Sequence, residues 1–167
     1  IIVTGSSTGI GFETGVEFLN LGANVIFHGN QSINDLEARI KTKSQSKNFK
    51  LFKSDFTDLS QVDNFMNDAI NYLDGLDILV NNAGTMVGRY QLDSISEKDF
   101  LKIFDLNAKS AYFATKSACT IFKKQNYGNI INVSTISART GGSAGSSVYA
   151  ASKAFVSAIT RSLVSEL

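Results

Sequence analysis

Tyr149 and Lys153 stand four residues apart in a segment of helical character, so their side chains share one face and an ammonium can lie beside a phenol. A free tyrosine titrates at about 10, too high to exchange protons readily at neutral pH, and a neighbouring cation lowers that value by favouring the phenolate. The pair is therefore an acid/base candidate. A second cluster opens the chain: Thr4-Gly5-Ser6-Ser7-Thr8-Gly9-Ile10-Gly11. Glycines spaced GxxxGxG allow a tight turn, close approach of backbone to a pyrophosphate and close helix-on-strand packing, while a helix starting there offers free amides and a positive dipole end to phosphate. Both patterns have ordinary readings as well, a packed ring with a surface amine and a flexible glycine loop. The elements around them decide.

Residues 1–3 are a β-branched apolar run broken at Gly5, and Ile10, Val16, Phe18 and Leu19 return to helical spacing before Gly22. A further apolar run at 24–27 follows at once, so the opening predicts strand, helix and strand in parallel pairing. Residues 36–47 read as a charged, solvated helix and 49–52 as the third strand. Val62, Phe65, Met66, Ala69, Ile70 and Leu73 form the most regular helical stripe in the chain. Residues 76–80 predict a fourth strand ending in Asn81-Asn82-Ala83-Gly84. Ser96 with Asp99 resembles a capping box and opens a helical region that runs to about 124 with a break near Leu106. A fifth strand at 129–133, a Gly/Ser-rich loop at 137–147 and a last helix from 148 complete the pattern. Strands alternating with helices predict an α/β fold with a doubly wound parallel sheet. No repeat, linker or low-complexity block interrupts residues 1–167, which read as one domain.

Composition narrows the function classes. With 16 Lys+Arg against 15 Asp+Glu the chain has little net charge to attract nucleic acid or a membrane surface, and its 43% apolar content is that of a globular protein rather than a disordered one. Cys119 has no partner for an internal disulfide, and no leader-like or long apolar run is present, so the expected setting is cytoplasmic.

Three motifs in order, the Thr4-Gly5 to Gly9-Ile10-Gly11 turn, Asn81-Asn82-Ala83-Gly84, and Tyr149-Ala150-Ala151-Ser152-Lys153, resemble the TGxxxGIG, NNAG and YxxxK signatures of the short-chain dehydrogenase/reductase family, across essentially the whole chain. The resemblance implies a three-layer sheet of the Rossmann type and an NAD(P)-dependent oxidoreductase interconverting a secondary alcohol and a ketone, most similar to the 3-oxoacyl-thioester reductase and sugar or alcohol dehydrogenase branch. It implies catalytic roles for Asn107, Thr135, Tyr149 and Lys153: Tyr149 as acid/base, Lys153 on the nicotinamide ribose and beside the phenol, and Asn107 holding a water behind the lysine. It implies cofactor contacts from Gly5, Ser6, Ser7, Gly9, Ile10, Gly11, Asp55, Asn81, Ala83 and Gly84, together with Tyr149 and Lys153. No metal ligand set is expected, and His28 reads as a strand-end residue near the adenosine pocket.

The substrate-polarising hydroxyl departs from the family pattern. A serine is usual, and here the slot holds Thr135, with Ser134 and Ser137 as alternatives, while the loop to Tyr149 carries one extra residue. NADP(H) is favoured over NAD(H), because Phe27-His28-Gly29-Asn30 lacks the acid that NAD users place at the second strand end. Neither an arginine at Asn30 nor a basic residue at Thr8 is present to complete an NADP pattern. Met86, Val87, Tyr90 and the 137–148 loop are candidates for the substrate wall. Two rivals remain open: a nucleotide-binding or sensor protein that keeps the fold without turnover, and a structural subunit. The helices near 108–124 and 148–167 correspond to a family subunit interface, which implies a homodimer or homotetramer. Family members reach about 250 residues, within single-domain range. By that measure the chain is expected to be truncated at both ends and to lack its C-terminal strands, and a bare fifth-strand edge is expected to cost it stability and activity.

Overall fold

The computed structural model describes residues 1–30 and 33–166. Five parallel strands, β1 (Ile2–Val3), β2 (Val25–Gly29), β3 (Phe49–Lys53), β4 (Ile78–Asn81) and β5 (Asn129–Asn132), lie in the order β3-β2-β1-β4-β5. Seven α-helices connect them: α1 (Gly9–Asn20), α2 (Leu36–Lys43), α3 (Leu59–Leu73), α4 (Glu97–Phe104), α5 (Ser110–Gln125), α6 (Ser137–Thr140) and α7 (Ser147–Ser162). The doubly wound sheet inferred from strand–helix alternation is present, and its winding reverses between β1 and β4, where such sheets open a crevice.

Alternation along the strands sorts the core into two layers. Ile2, Ile26 and Leu79 face α3 and α5, burying against Val62, Phe65, Met66 and Ala118. Val3, Val25, Phe27 and Val80 face the opposite way, against Phe12, Val16 and Leu19 of α1 and Leu36 and Ile40 of α2. Burying each large apolar side chain contributes about 1.5–3 kcal/mol, so the two layers together pin β1 at the centre although it is only two residues long.

Helix ends follow local chemistry. The Asp58 carboxylate accepts from the Ser60 amide to start α3, and Asp74 in a left-handed conformation ends it. Ser96 accepts from the Asp99 amide to start α4, the capping half of the expected box, while the Asp99 carboxylate accepts the Ser96 hydroxyl at 2.6 Å rather than the Ser96 amide. The break expected near Leu106 is a π-helical turn, Asp105–Lys109, in which the Ser110 amide reaches back to the Asp105 carbonyl. Strand boundaries shift by one or two residues, β2 running 25–29 for an expected 24–27 and β4 78–81 for 76–80, and three helical segments also differ from expectation. The helix expected over 36–47 stops at Lys43, where Ser44 turns to extended backbone; the Gly/Ser loop holds the short α6; and α7 gives way to a 3-10 turn at Leu163–Ser165. Among the described residues no helix is long and apolar enough to cross a membrane.

Candidate active site

The carboxyl ends of β1, β2 and β4 open onto a cleft of about 460 Å³. Its walls are the glycine turn (Gly5, Ser7, Thr8), the end of β2 (His28, Gly29, Asn30), Phe56, and the turn after β4 (Asn82, Ala83, Gly84, Thr85), with Leu106 behind. Gly5 sits at φ +62, and a Cβ there would stand 2.7 Å from the Ala83 Cα, so only glycine lets the two turns meet. Gly9, Ile10 and Gly11 form the first turn of α1, with Ile10 exposed and Gly11 buried. Thr8 gives α1 no side-chain cap, unlike Asp58 on α3 and Ser96 on α4. A glycine-lined cleft beside uncapped helix amides suits the pyrophosphate of a dinucleotide.

A hydrogen-bonded frame holds the turns together. Thr4 is buried; its Oγ1 donates to the Val80 carbonyl and accepts the amides of Asn82 and Ala83, each at 3.0 Å. The Asn82 side chain donates to the carbonyls of Thr4 and Gly5. His28 Nδ1 accepts the Gly5 amide at 2.9 Å, which leaves the proton on Nε2, 3.0 Å from the Ser54 carbonyl. The ring stacks on Phe56 with centroids 4.0 Å apart. Burial is the main cause that lowers the His28 pKa to about 4, against smaller opposing effects of the Ser54 carbonyl and Asp55.

Several expected contacts lie elsewhere. Ser6 is fully buried: its hydroxyl donates to the Val3 carbonyl and accepts the His28 amide, and its own amide donates to the His28 carbonyl, so it straps β1 to β2 and does not line the cleft. Asn81 faces away from the cleft and donates to Thr115 Oγ1 and Asn132 Oδ1, each at 2.9 Å, tying β4 to α5 and β5. Asp55 lies outside the cleft wall and accepts the amide and hydroxyl of Thr57. Burial, the largest single influence, would raise the Asp55 pKa, but the bonds from Thr57 and Asn30 together hold the carboxyl below its usual range.

Gly84 is the meeting point of the chemical residues. A Cβ on it would lie 2.5 Å from Asn107 Oδ1 and 2.9 Å from Lys153 Nζ. Asn107, fully buried in the π turn, accepts the Thr85 amide and donates to the Thr85 carbonyl, both at 2.8 Å. Lys153, on α7, is buried and donates to the Val133 carbonyl at the end of β5 over 3.0 Å; burial lowers its pKa. Tyr149, half-buried, stands one helical turn before Lys153 on α7. Among the three candidate hydroxyls, Ser134 is committed to α7, 3.2 Å from the Lys153 carbonyl and 2.8 Å from Ser157 Oγ. Thr135 Oγ1 accepts the Ser137 amide at 3.3 Å, which leaves its proton to donate. Ser137 sits in α6, packed toward Gly142. The two candidate substrate-wall segments are pinned to each other: Arg89 donates to Ser143 Oγ and the Ala144 carbonyl, and the Tyr90 amide to the Gly145 carbonyl.

Sequence reasoning passed over Thr4, Asn82 and Arg39, whose guanidinium donates to the Ser7 carbonyl at 2.8 Å. The adjacent motifs were the only signal for the first two, and nothing local marks Arg39.

The family profile for short chain dehydrogenases matches residues 1–167. Hydroxynaphthalene reductase-like protein Arp2 of Metarhizium guizhouense is 31% identical over 165 residues, covering 96% of this chain and 60% of that protein. The "Probable NADP-dependent mannitol dehydrogenase" of Yarrowia lipolytica is 32% identical over 136 residues, 81% of this chain and 49% of that protein. Among solved structures, NADH-dependent reductase A1-R′ complexed with NAD superposes with a TM-score of 0.90 at 31% identity over 99% of this chain and 71% of that one. The chain belongs to the short-chain dehydrogenase family of oxidoreductases, and it spans about 60% of the length of the first curated relatives it matches.

Proposed function

We propose that residues 1–167 form one dinucleotide-binding and catalytic unit of an NAD(P)-dependent oxidoreductase that interconverts a secondary alcohol and a ketone. A bound nicotinamide dinucleotide would supply or accept the hydride. Gly5, Ser7, the α1 amides, Ala83 and Gly84 would hold it. The observation that carries the reading is the convergence of Asn107 and Lys153 on Gly84, at the edge of a glycine-walled cleft, with Tyr149 one turn away on the same helix as Lys153.

Each side chain has a task its surroundings permit. The Tyr149 hydroxyl gives the proton to the carbonyl oxygen in reduction and takes it back in oxidation. Lys153, buried with its pKa lowered by that burial, holds its amine at Gly84, where it would bind the hydroxyls of a nicotinamide ribose one helical turn from Tyr149. Asn107 fixes Thr85 and with it the turn carrying Gly84. Thr135 donates to the reacting oxygen. NADP(H) is the favoured cofactor on the absence of a carboxylate in His28-Gly29-Asn30. We place the protein in the cytoplasm, acting on a small carbonyl or alcohol as a homodimer or homotetramer through α5 and α7; light scattering on the intact protein checks the assembly, and a monomer at micromolar concentration overturns it.

The functional test is NADPH and NADH oxidation with a panel of ketones, on the intact protein and on Tyr149→Phe. Loss of turnover by about 10²–10⁴-fold with dinucleotide binding retained supports the mechanism. Turnover surviving at a similar rate removes Tyr149 from it. Binding without turnover in the unmutated protein favours a nucleotide sensor.

A further inference from the structure

The end of β2 has no carboxylate among its described residues, yet one cation is held rigidly beside it. Arg39, at the end of the first turn of α2, donates from Nη1 to the Ser7 carbonyl at 2.8 Å, and its guanidinium carbon lies 4.5 Å above the centre of the Phe12 ring on α1. Ser7 in turn packs on Gly29, whose missing Cβ would stand 2.9 Å from the Ser7 Cβ, and Ser7, Thr8, Gly29 and Asn30 wall the same end of the cleft. The guanidinium is thus fixed by a carbonyl and a ring face, two partners that orient it without neutralising it. Glu37 pairs with Lys41 and Glu13 with Lys43, Asp55 takes its bonds from Thr57 and Asn30, and Asp35, one turn before Arg39 at the start of α2, caps no amide and forms no ion pair with the guanidinium. Among the described residues Arg39 has no ion-pair partner.

Among the described residues this half-buried guanidinium spends one of its five donors on a carbonyl and forms no ion pair, an arrangement suited to receive a planar or tetrahedral oxyanion. Resting on the dinucleotide reading of the cleft, we infer that Arg39 is the specificity residue for the cofactor and receives the phosphate on the adenosine ribose that distinguishes NADPH from NADH. The cation comes from α2 and reaches back over the glycine turn, which removes the need for a basic residue at Thr8 or Asn30.

Equilibrium binding of NADPH and NADH, followed by calorimetry on the intact protein, tests this without reference to turnover. Arg39→Met is expected to weaken NADPH about ten- to a hundredfold, the loss of a charge-assisted bond, and to leave NADH within about threefold. Arg39→Gln, which keeps a donor for the Ser7 carbonyl, is expected to do the same. Equal weakening of both dinucleotides would mean that Arg39 only straps α2 to α1, and would overturn the inference while leaving the dinucleotide site standing; so would unchanged NADPH affinity. If neither variant folds, the wild-type protein decides by its preference for 2′,5′-ADP over 5′-AMP, and equal affinity for the two overturns the inference. Failure of the wild-type protein to bind either dinucleotide overturns the reading of the cleft and the inference with it.

Discussion

The amide of Gly5 donates to Nδ1 of His28 over 2.9 Å, so the first residue of the phosphate turn hangs from an imidazole of the neighbouring strand. The bond demands a neutral ring, because a protonated Nδ1 would turn a second donor toward the amide. The other ring nitrogen meets the Ser54 carbonyl at the end of β3, so one side chain joins three strand ends beneath the cleft.

Acid should therefore loosen this protein in a definite window. The folded-state pKa of His28 is lowered to about 4, and unfolding restores a value of 6.5. Its contribution is fully present above the unfolded pKa and is lost as pH falls through the folded one, amounting to about 3 kcal/mol between the two. Urea melts from pH 7.5 to 4 should show this decline, and His28→Gln should flatten it. A wild-type stability that stays level across the window would contradict the geometry described.

Gly84→Ala should injure the chemical end of the site directly. The new Cβ meets Asn107 Oδ1 and Lys153 Nζ together, and neither can retreat without leaving Thr85 or Val133. Overpacking of this kind costs about 1–3 kcal/mol. Thermal melting should show that loss, and kcat should fall at least about tenfold with dinucleotide affinity less affected, since a displacement near 1 Å at a reacting group is enough.

Asn107→Ala removes both partners of the Thr85 backbone. A buried amide and carbonyl are left unpaired, at about 1–3 kcal/mol each before water enters. Asn107→Asp can still accept the amide but cannot donate to the carbonyl, and it sets a carboxylate near Lys153. The expected outcome is a smaller stability loss for the Asp variant together with an altered pH–rate profile, read by denaturation and by kcat measured across pH.

The three candidate hydroxyls can be separated by single substitutions. Thr135→Ala should reduce kcat about 10²-fold, the scale for one lost donor to a reacting oxygen, and Thr135→Ser should restore most of it. Ser134→Ala should cost about 1 kcal/mol through its bonds to Lys153 and Ser157, with turnover kept within a few-fold. A collapse of turnover in the Ser134 variant alone would move the role to Ser134.

How much of this could be read from residue order depends on the kind of signal. The α3 stripe at Val62, Phe65, Met66 and Ala69 and the glycines at 5, 9 and 11 announce themselves by period and spacing, and both lie where that reading puts them. Asn81 and Asn82 are alike in type and adjacent, yet alternation at the strand end sends one toward β5 and the other across to β1, and composition cannot choose between them. Arg39 sits in a charged stretch that reads as solvated, and only the placement of α2 over α1 turns it toward Ser7. The lysine and asparagine of the candidate site were visible as letters; their meeting at Gly84 is a product of tertiary packing.

The π turn at Asp105–Lys109 has a geometric consequence. Closing a ring from residue 110 to 105 takes one residue more than an α turn, and one residue is worth about 100° of rotation around the helix axis. The extra residue therefore re-phases everything that follows: α4 turns a face to α7 while α5 turns its own to α3, two directions that an uninterrupted helix from 97 to 125 would not serve with the same side chains. Excising one residue between 105 and 109 would straighten the rod and swing Asn107 off Thr85, so the site depends on an irregularity in the helix as much as on the residues it presents.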